Sequence, residues 1–221
     1  MTTRVKICGL RTEAALDAAL DAGADLVGFV LYAKSPRNVG IAQAAGLARR
    51  AETRPGVKTV TLLVDPDDAL VDRVAAEVRP HMIQLHGHET AERVEAIRSR
   101  SGIPVLKAVP VSTADEVAAA NRYVLPGRAD MVLFDAKPPQ GPGALPGGNG
   151  LAFDWHILEA AEGGPPFALA GGLTPDNVAA AIALTGAAVV DVSSGVESSP
   201  GEKDPELIRR FLRAAKAANQ A

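Results

Sequence analysis

Cys8 and Asp135 each close a short apolar run, Val5-Lys6-Ile7-Cys8 and Met131-Val132-Leu133-Phe134-Asp135, at the point where a loop takes over. A thiolate takes protons and a neutral carboxyl gives them, so the two types together suit general acid–base chemistry. Free cysteine is also a common small core residue. A carboxylate at a strand end can equally be a structural ion-pair partner. Alternation along a strand sets Asp135 on the face of Leu133 and Met131, apolar neighbours that penalise its charged form and suit a general acid. The same alternation turns Lys6 and Cys8 inward, with an ammonium one layer below the thiol, an arrangement that favours thiolate.

Two later loops carry the donors that a phosphate needs. Ala170-Gly171-Gly172-Leu173 and Ser193-Ser194-Gly195-Val196 follow successive apolar runs, and glycine lets backbone N–H groups approach an anion closely. One such loop is as readily an ordinary turn; two in succession favour phosphate. Arg37, in Lys34-Ser35-Pro36-Arg37, offers a fork that fits a carboxylate, although a solvated loop arginine is the commoner case. His81, His86 and His88 share a segment, but Gly87 turns the chain and no carboxylate stands at ligand spacing. Metal binding is therefore not expected, and His86 reads as a donor lining the site. Trp155 reads as a packing residue at a helix start.

These residues need a frame, and the chain supplies a repeating one. Runs rich in Val, Ile and Leu occur at Arg4–Cys8, Leu26–Val30, Lys58–Val64, Met82–Leu85, Val105–Ala108, Met131–Asp135, Phe167–Ala170 and Ala188–Val192. Helix patterns follow near Glu13–Asp21, Ile41–Ala51, Asp67–Val78, Glu89–Arg98, Thr113–Asn121, Asp154–Ala160, Pro175–Leu184 and Asp204–Ala218. Thr12, Ser112 and Thr174-Pro175 fit helix starts, and Gly23 a helix stop. The count of strand–helix units predicts an α/β fold of the (β/α)8 TIM-barrel type in one domain, 1–221, with the reactive groups at the carboxyl ends of the strands. Cys8-Gly9-Leu10-Arg11 is not the glycine-rich turn of a doubly wound sheet. The glycine- and proline-rich stretch Lys137–Gly150 is long enough to be a functional loop.

The 221 residues carry a formal charge of −3 with no basic run, which argues against a nucleic-acid surface. No apolar stretch reaches the roughly 20 residues of a membrane span, and no signal peptide is apparent. One cysteine excludes an internal disulfide and suits a reducing cytoplasm.

The ordered set of motifs resembles the phosphoribosylanthranilate isomerase family of tryptophan biosynthesis. Its pieces are Val5-Lys6-Ile7-Cys8-Gly9-Leu10, Gly28-Phe29-Val30 with Ser35-Pro36-Arg37, Ile83-Gln84-Leu85-His86-Gly87, and Phe134-Asp135-Ala136-Lys137. Gly147-Gly148-Asn149-Gly150 leads to Phe153-Asp154-Trp155, then Leu169-Ala170-Gly171-Gly172-Leu173 with Pro175-Asp176-Asn177-Val178. Asp191-Val192-Ser193-Ser194-Gly195-Val196-Glu197 follows, with Pro200-Gly201 and Lys203-Asp204. Each piece is weak, but their order from residue 5 to about 204 is specific. Asn149 departs from the family's usual Ser or Thr, and the insertion Gly141–Gly147 is longer than the family pattern.

The resemblance implies a cofactor-free Amadori rearrangement of a small phosphosugar–anthranilate substrate, by a monomer or homodimer. Cys8 would be the general base and Asp135 the general acid, with Arg37 on the anthranilate carboxylate. Gly171 and Gly172 with Ser193, Ser194 and Gly195 would hold the phosphate, and His86 and Asp191 would line the substrate site. Another phosphosugar isomerase on this barrel, such as the histidine-pathway aldose isomerase, would need a carboxylate where Cys8 stands. A non-catalytic phosphoribosyl binder would not need Cys8, Asp135 and Arg37 together. Asp191 faces inward beside Ser193 and needs a partner. A Lys6–Asp191 ion pair within about 4 Å is expected where the last strand meets the first.

Overall fold

A computed structural model describes residues 2–137 and 145–219. Eight parallel strands close into a barrel in sequence order. They are β1 (Arg4–Cys8), β2 (Leu26–Leu31), β3 (Lys58–Leu63), β4 (Met82–Leu85), β5 (Val105–Val111), β6 (Met131–Ala136), β7 (Phe167–Leu169) and β8 (Val189–Val192). The seam pairs Lys6 with Asp191 and Ile7 with Val192. Strand alternation divides the side chains into two cores. Leu26, Val60, Leu106, Leu133, Ala168 and Val189 fill the barrel interior. Val5, Ile7, Val27, Phe29, Ile83 and Val190 belong to the larger core that the helices share.

The helices are α1 (Glu13–Asp21), α2 (Ile41–Ala51), α3 (Asp68–Arg73), α4 (Ala91–Ser101), α5 (Ala114–Ala119), α6 (Val178–Thr185) and α7 (Pro205–Ala218). Thr12 caps α1 by accepting from the Ala15 N–H, and Gly23 follows its C-terminus in the left-handed region. Two expected starts move. Thr113, not Ser112, caps α5, because the backbone and hydroxyl of Ser112 both bind the Glu116 carboxylate. The helix expected from Pro175 begins at Val178, since Asn177 turns its Oδ1 back to the Thr174 N–H. The sixth crossover expected as a helix is a 3-10 run, Trp155–Ala161, on which Trp155 packs against the core. β5 continues past Ala108 through Pro110, which is exposed at the barrel mouth, where a missing N–H is tolerated.

After β8 the chain makes a 3-10 turn, Ser194–Val196, and an antiparallel hairpin of β9 (Glu197–Ser199) and β10 (Glu202–Lys203). This hairpin returns polar side chains to the barrel mouth. Part of the long loop after β6, 138–144, and with it most of the insertion Gly141–Gly147, lies outside the described residues. No helix among the described residues is long and apolar enough to cross a membrane.

Candidate active site

The carboxyl ends of the strands surround a cleft that is open at its top. Cys8, Arg37, His86, Asp135, Gly171, Gly172, Asp191, Ser193 and Ser194 all line it. Gly195 sits behind them, closed in by the Leu173 carbonyl.

Cys8 faces Gly28 across the β1–β2 ladder. A methyl group on Gly28 would stand 3.0 Å from Sγ and 3.2 Å from the Cys8 Cα, so the missing side chain makes room for the thiol. Burial pushes the Cys8 thiol up from its ordinary pKa, and the charges of Lys6 and Lys203 only partly oppose this. Lys6 does favour the thiolate, as the sequence leads one to expect, but desolvation outweighs it and the net shift is upward.

Lys6 is fully buried beneath the thiol. Its Nζ donates at 2.8 Å to Asp191 Oδ2 and at 2.8 Å to Gln84 Oε1. Burial alone would lower its pKa, but Asp191 and then Cys8 outweigh it and hold the ammonium. Burial also works against the charge of Asp191 and would by itself place the shared proton there. The ammonium form matches both acceptors, so the pair is charged. The other oxygen, Asp191 Oδ1, is buried with no hydrogen-bond partner among the described residues.

Asp135 does not sit in the purely apolar setting that its strand neighbours predicted. Its Oδ1 accepts from the Ala136 N–H at 2.8 Å, and its Oδ2 lies 3.2 Å from His86 Nε2. Strand alternation could not show this, because His86 arrives from β4. His88 is exposed, and His81 binds the Thr59 hydroxyl away from the site.

Arg37 is buried rather than solvated. Glu197 on β9 takes its Nε at 2.7 Å and its Nη2 at 2.8 Å, and the Gly148 carbonyl takes Nη2 at 3.2 Å. Among the described residues, no hydrogen bond is made by Nη1. Lys203 on β10 donates to the same carboxylate at 2.6 Å and to the Ser193 carbonyl at 2.8 Å. Burial opposes the charge of Glu197, but Arg37 and Lys203 overcome it and hold the carboxyl below its usual range. Lys203 itself is pushed down to about 8 by burial, with Glu197 pulling back and Arg37 adding to the fall. Ser193 Oγ donates to the Cys8 carbonyl at 3.2 Å, so this network also ties the loop after β8 to the backbone that carries the thiol.

Sequence reasoning singled out neither Gln84 nor the Glu197–Lys203 pair. A buried amide two residues before His86 on an apolar strand was the available signal for Gln84. Gly201, turning between Glu197 and Lys203, was the signal for the hairpin.

Gly147 and Gly148 cover the site. A side chain at 147 would overlap His86 Nε2 and stand 2.9 Å from Asp135 Oδ2, and one at 148 would meet Arg37 Nη1 at 2.5 Å. Gly147 and Gly148 thus pass close over the carboxyl and the guanidinium.

Residues 5–214 match the family model for N-(5'-phosphoribosyl)anthranilate isomerase. The enzyme of that name from Paramagnetospirillum magneticum is 54% identical over 217 residues, covering 98% of each chain. That of Rhodopseudomonas palustris strain BisA53 is 52% identical over 220 residues, covering 100% of this chain and 99% of its own. The crystal structure of the isomerase from Thermotoga maritima superposes with a TM-score of 0.84 at 36% identity, over 98% of this chain and 100% of the other. An isomerase in complex with reduced 1-(o-carboxyphenylamino)-1-deoxyribulose 5-phosphate gives 0.82 at 34% identity, with the same coverage. Fold, motif order and full-length identity agree, and the chain belongs to the N-(5'-phosphoribosyl)anthranilate isomerase family.

Proposed function

We propose that this chain converts N-(5'-phosphoribosyl)anthranilate to 1-(2-carboxyphenylamino)-1-deoxyribulose 5-phosphate, a step of tryptophan biosynthesis, with Asp135 as general acid and Cys8 as general base. Asp135 protonates the ribose ring oxygen as the C1–O bond breaks, and the anthranilate nitrogen lone pair forms the Schiff base. The cation acidifies the C2 hydrogen. Cys8, as thiolate, removes it to give an enolamine that tautomerises to the ketone. Each proton transfer contributes about 10²–10⁴-fold. The buried ammonium groups of Lys6 and Lys203 both favour the thiolate that this step needs.

Arg37 holds the anthranilate carboxylate through its Nη1 side. Gly171, Gly172, Ser193 and Ser194 surround the phosphate, with Gly195 supporting their turn. Asp191, which lines the cleft, faces the sugar. The enzyme acts as a monomer or a homodimer, and one relative, from Thermotoga maritima, is described as dimeric. A single thiol that must stay reduced fits a cytoplasmic enzyme.

The observation carrying this reading is that a thiol from β1, a carboxyl from β6 and a guanidinium from the loop after β2 line one cleft. Mixing the purified protein with phosphoribosylanthranilate should abolish the anthranilate-type fluorescence at a rate proportional to protein. Binding without loss of fluorescence would identify a non-catalytic binder instead.

A further inference from the structure

Gln84 is fully buried in the cleft floor, and the reaction as written gives it no part. Lys6 Nζ donates to its Oε1. An ammonium accepts nothing, so this contact fixes which end of the amide faces Lys6. The other end, Nε2, lies 2.9 Å from His86 Nδ1. An amide NH₂ only donates, so Nδ1 carries the lone pair and the proton of the neutral ring sits on Nε2. That Nε2–H points at Asp135 Oδ2.

We propose that Gln84, oriented by Lys6, is a positioning residue that holds His86 in its Nε2–H tautomer and so aims a donor at Asp135. The proposal rests on the reading of Asp135 as the general acid. As Asp135 gives up its proton, negative charge develops on its carboxyl. The His86 hydrogen bond then becomes charge-assisted, roughly twice as strong as a neutral one. A donor that gains strength only as charge develops lowers the barrier rather than the ground state. The opposite tautomer would present a lone pair to Oδ2, holding the acid's proton and repelling the carboxylate. The chain Asp191–Lys6–Gln84–His86–Asp135 thus crosses the barrel from β8 through β1 and β4 to β6.

The test begins with the unaltered protein. Nitrogen NMR of ¹⁵N-histidine-labelled enzyme near neutral pH, with the four histidines resolved by a His86→Gln comparison, should show Nδ1 bare and Nε2 protonated. A protonated Nδ1, as the other tautomer or as imidazolium, overturns the proposal whatever any variant does. Gln84→Glu, nearly isosteric but able only to accept, should move the proton to Nδ1 and lower kcat about ten- to a hundred-fold, with KM within about twofold. Wild-type kcat with the flipped tautomer would also overturn it, as would a change confined to KM. Failure of the underlying reading looks different: Asp135→Asn would keep its turnover while the wild-type His86 spectrum stayed as described.

Discussion

Lys6 Nζ and Asp191 Oδ2 stand 2.8 Å apart inside the barrel, joining the first strand to the last. Alternation on β1 and β8 anticipates this pair, and the register confirms it by setting the two residues opposite each other. Removing one partner leaves a buried charge uncompensated. Lys6→Met should therefore lose about 3–5 kcal/mol in urea unfolding, and the double variant Lys6→Met/Asp191→Leu should regain much of it without regaining activity. Equal stability of the single and double variants would refute a coupled pair.

Cys8→Ala should abolish turnover while leaving the fold and inorganic phosphate affinity near wild type. Retention of more than about a tenth of kcat would mean that less than ~1.4 kcal/mol of barrier was lost, too little for the base.

Asp135→Asn keeps the shape and still accepts at Oδ1, but it has no proton of comparable acidity to deliver. A kcat loss of about 10² or more, with KM little changed, is the expected steady-state result. A loss that appears only in KM would make Asp135 a binding group.

Arg37→Ala should raise KM for the anthranilate-bearing substrate and leave inorganic phosphate affinity unaltered, as measured by competitive inhibition. Glu197→Gln should do the same more weakly, because it loosens the guanidinium without removing it. Equal weakening of both ligands would put Arg37 at the phosphate.

Lys203 titrates at about 8 in the folded protein and near 10.4 in an unfolded chain. Between these values the unfolded state binds more protons, so this residue's contribution to stability rises with pH over that window. Urea unfolding of wild type and Lys203→Met at pH 7.5 and 9.5 should show the difference moving in favour of wild type, by at most about 1.4 kcal/mol per pH unit. A difference that did not change with pH would mean that Lys203 is not titrating there.

The barrel is legible because its period is local. β1 and β4 begin and end where the apolar runs do, and the other strands shift only at their ends, β5 most of all. Cys8 and Asp135 are legible for the same reason, as polar groups at the ends of such runs. What the sequence hides is who meets whom across the barrel. Arg37 finds Glu197 160 residues away, and Lys6 finds Gln84 78 residues away. No local rule ties a loop arginine to a hairpin after the last strand, so the sequence offers Arg37 as a fork for a carboxylate without showing that Glu197 holds it.

The Lys6–Asp191 seam also governs the order in which this molecule becomes whole. The two residues are 185 positions apart, a gap that a ribosome translating about 5–20 residues per second crosses in roughly 10–40 seconds. Through that interval the nascent β1 holds an ammonium with no carboxylate to meet it, and water is a better place for it than a dry interior. The first strand therefore cannot settle into a finished core before the eighth is made. A chain interrupted before β8 leaves Cys8 on an unsealed strand, and the seam closes only once Asp191 has been made.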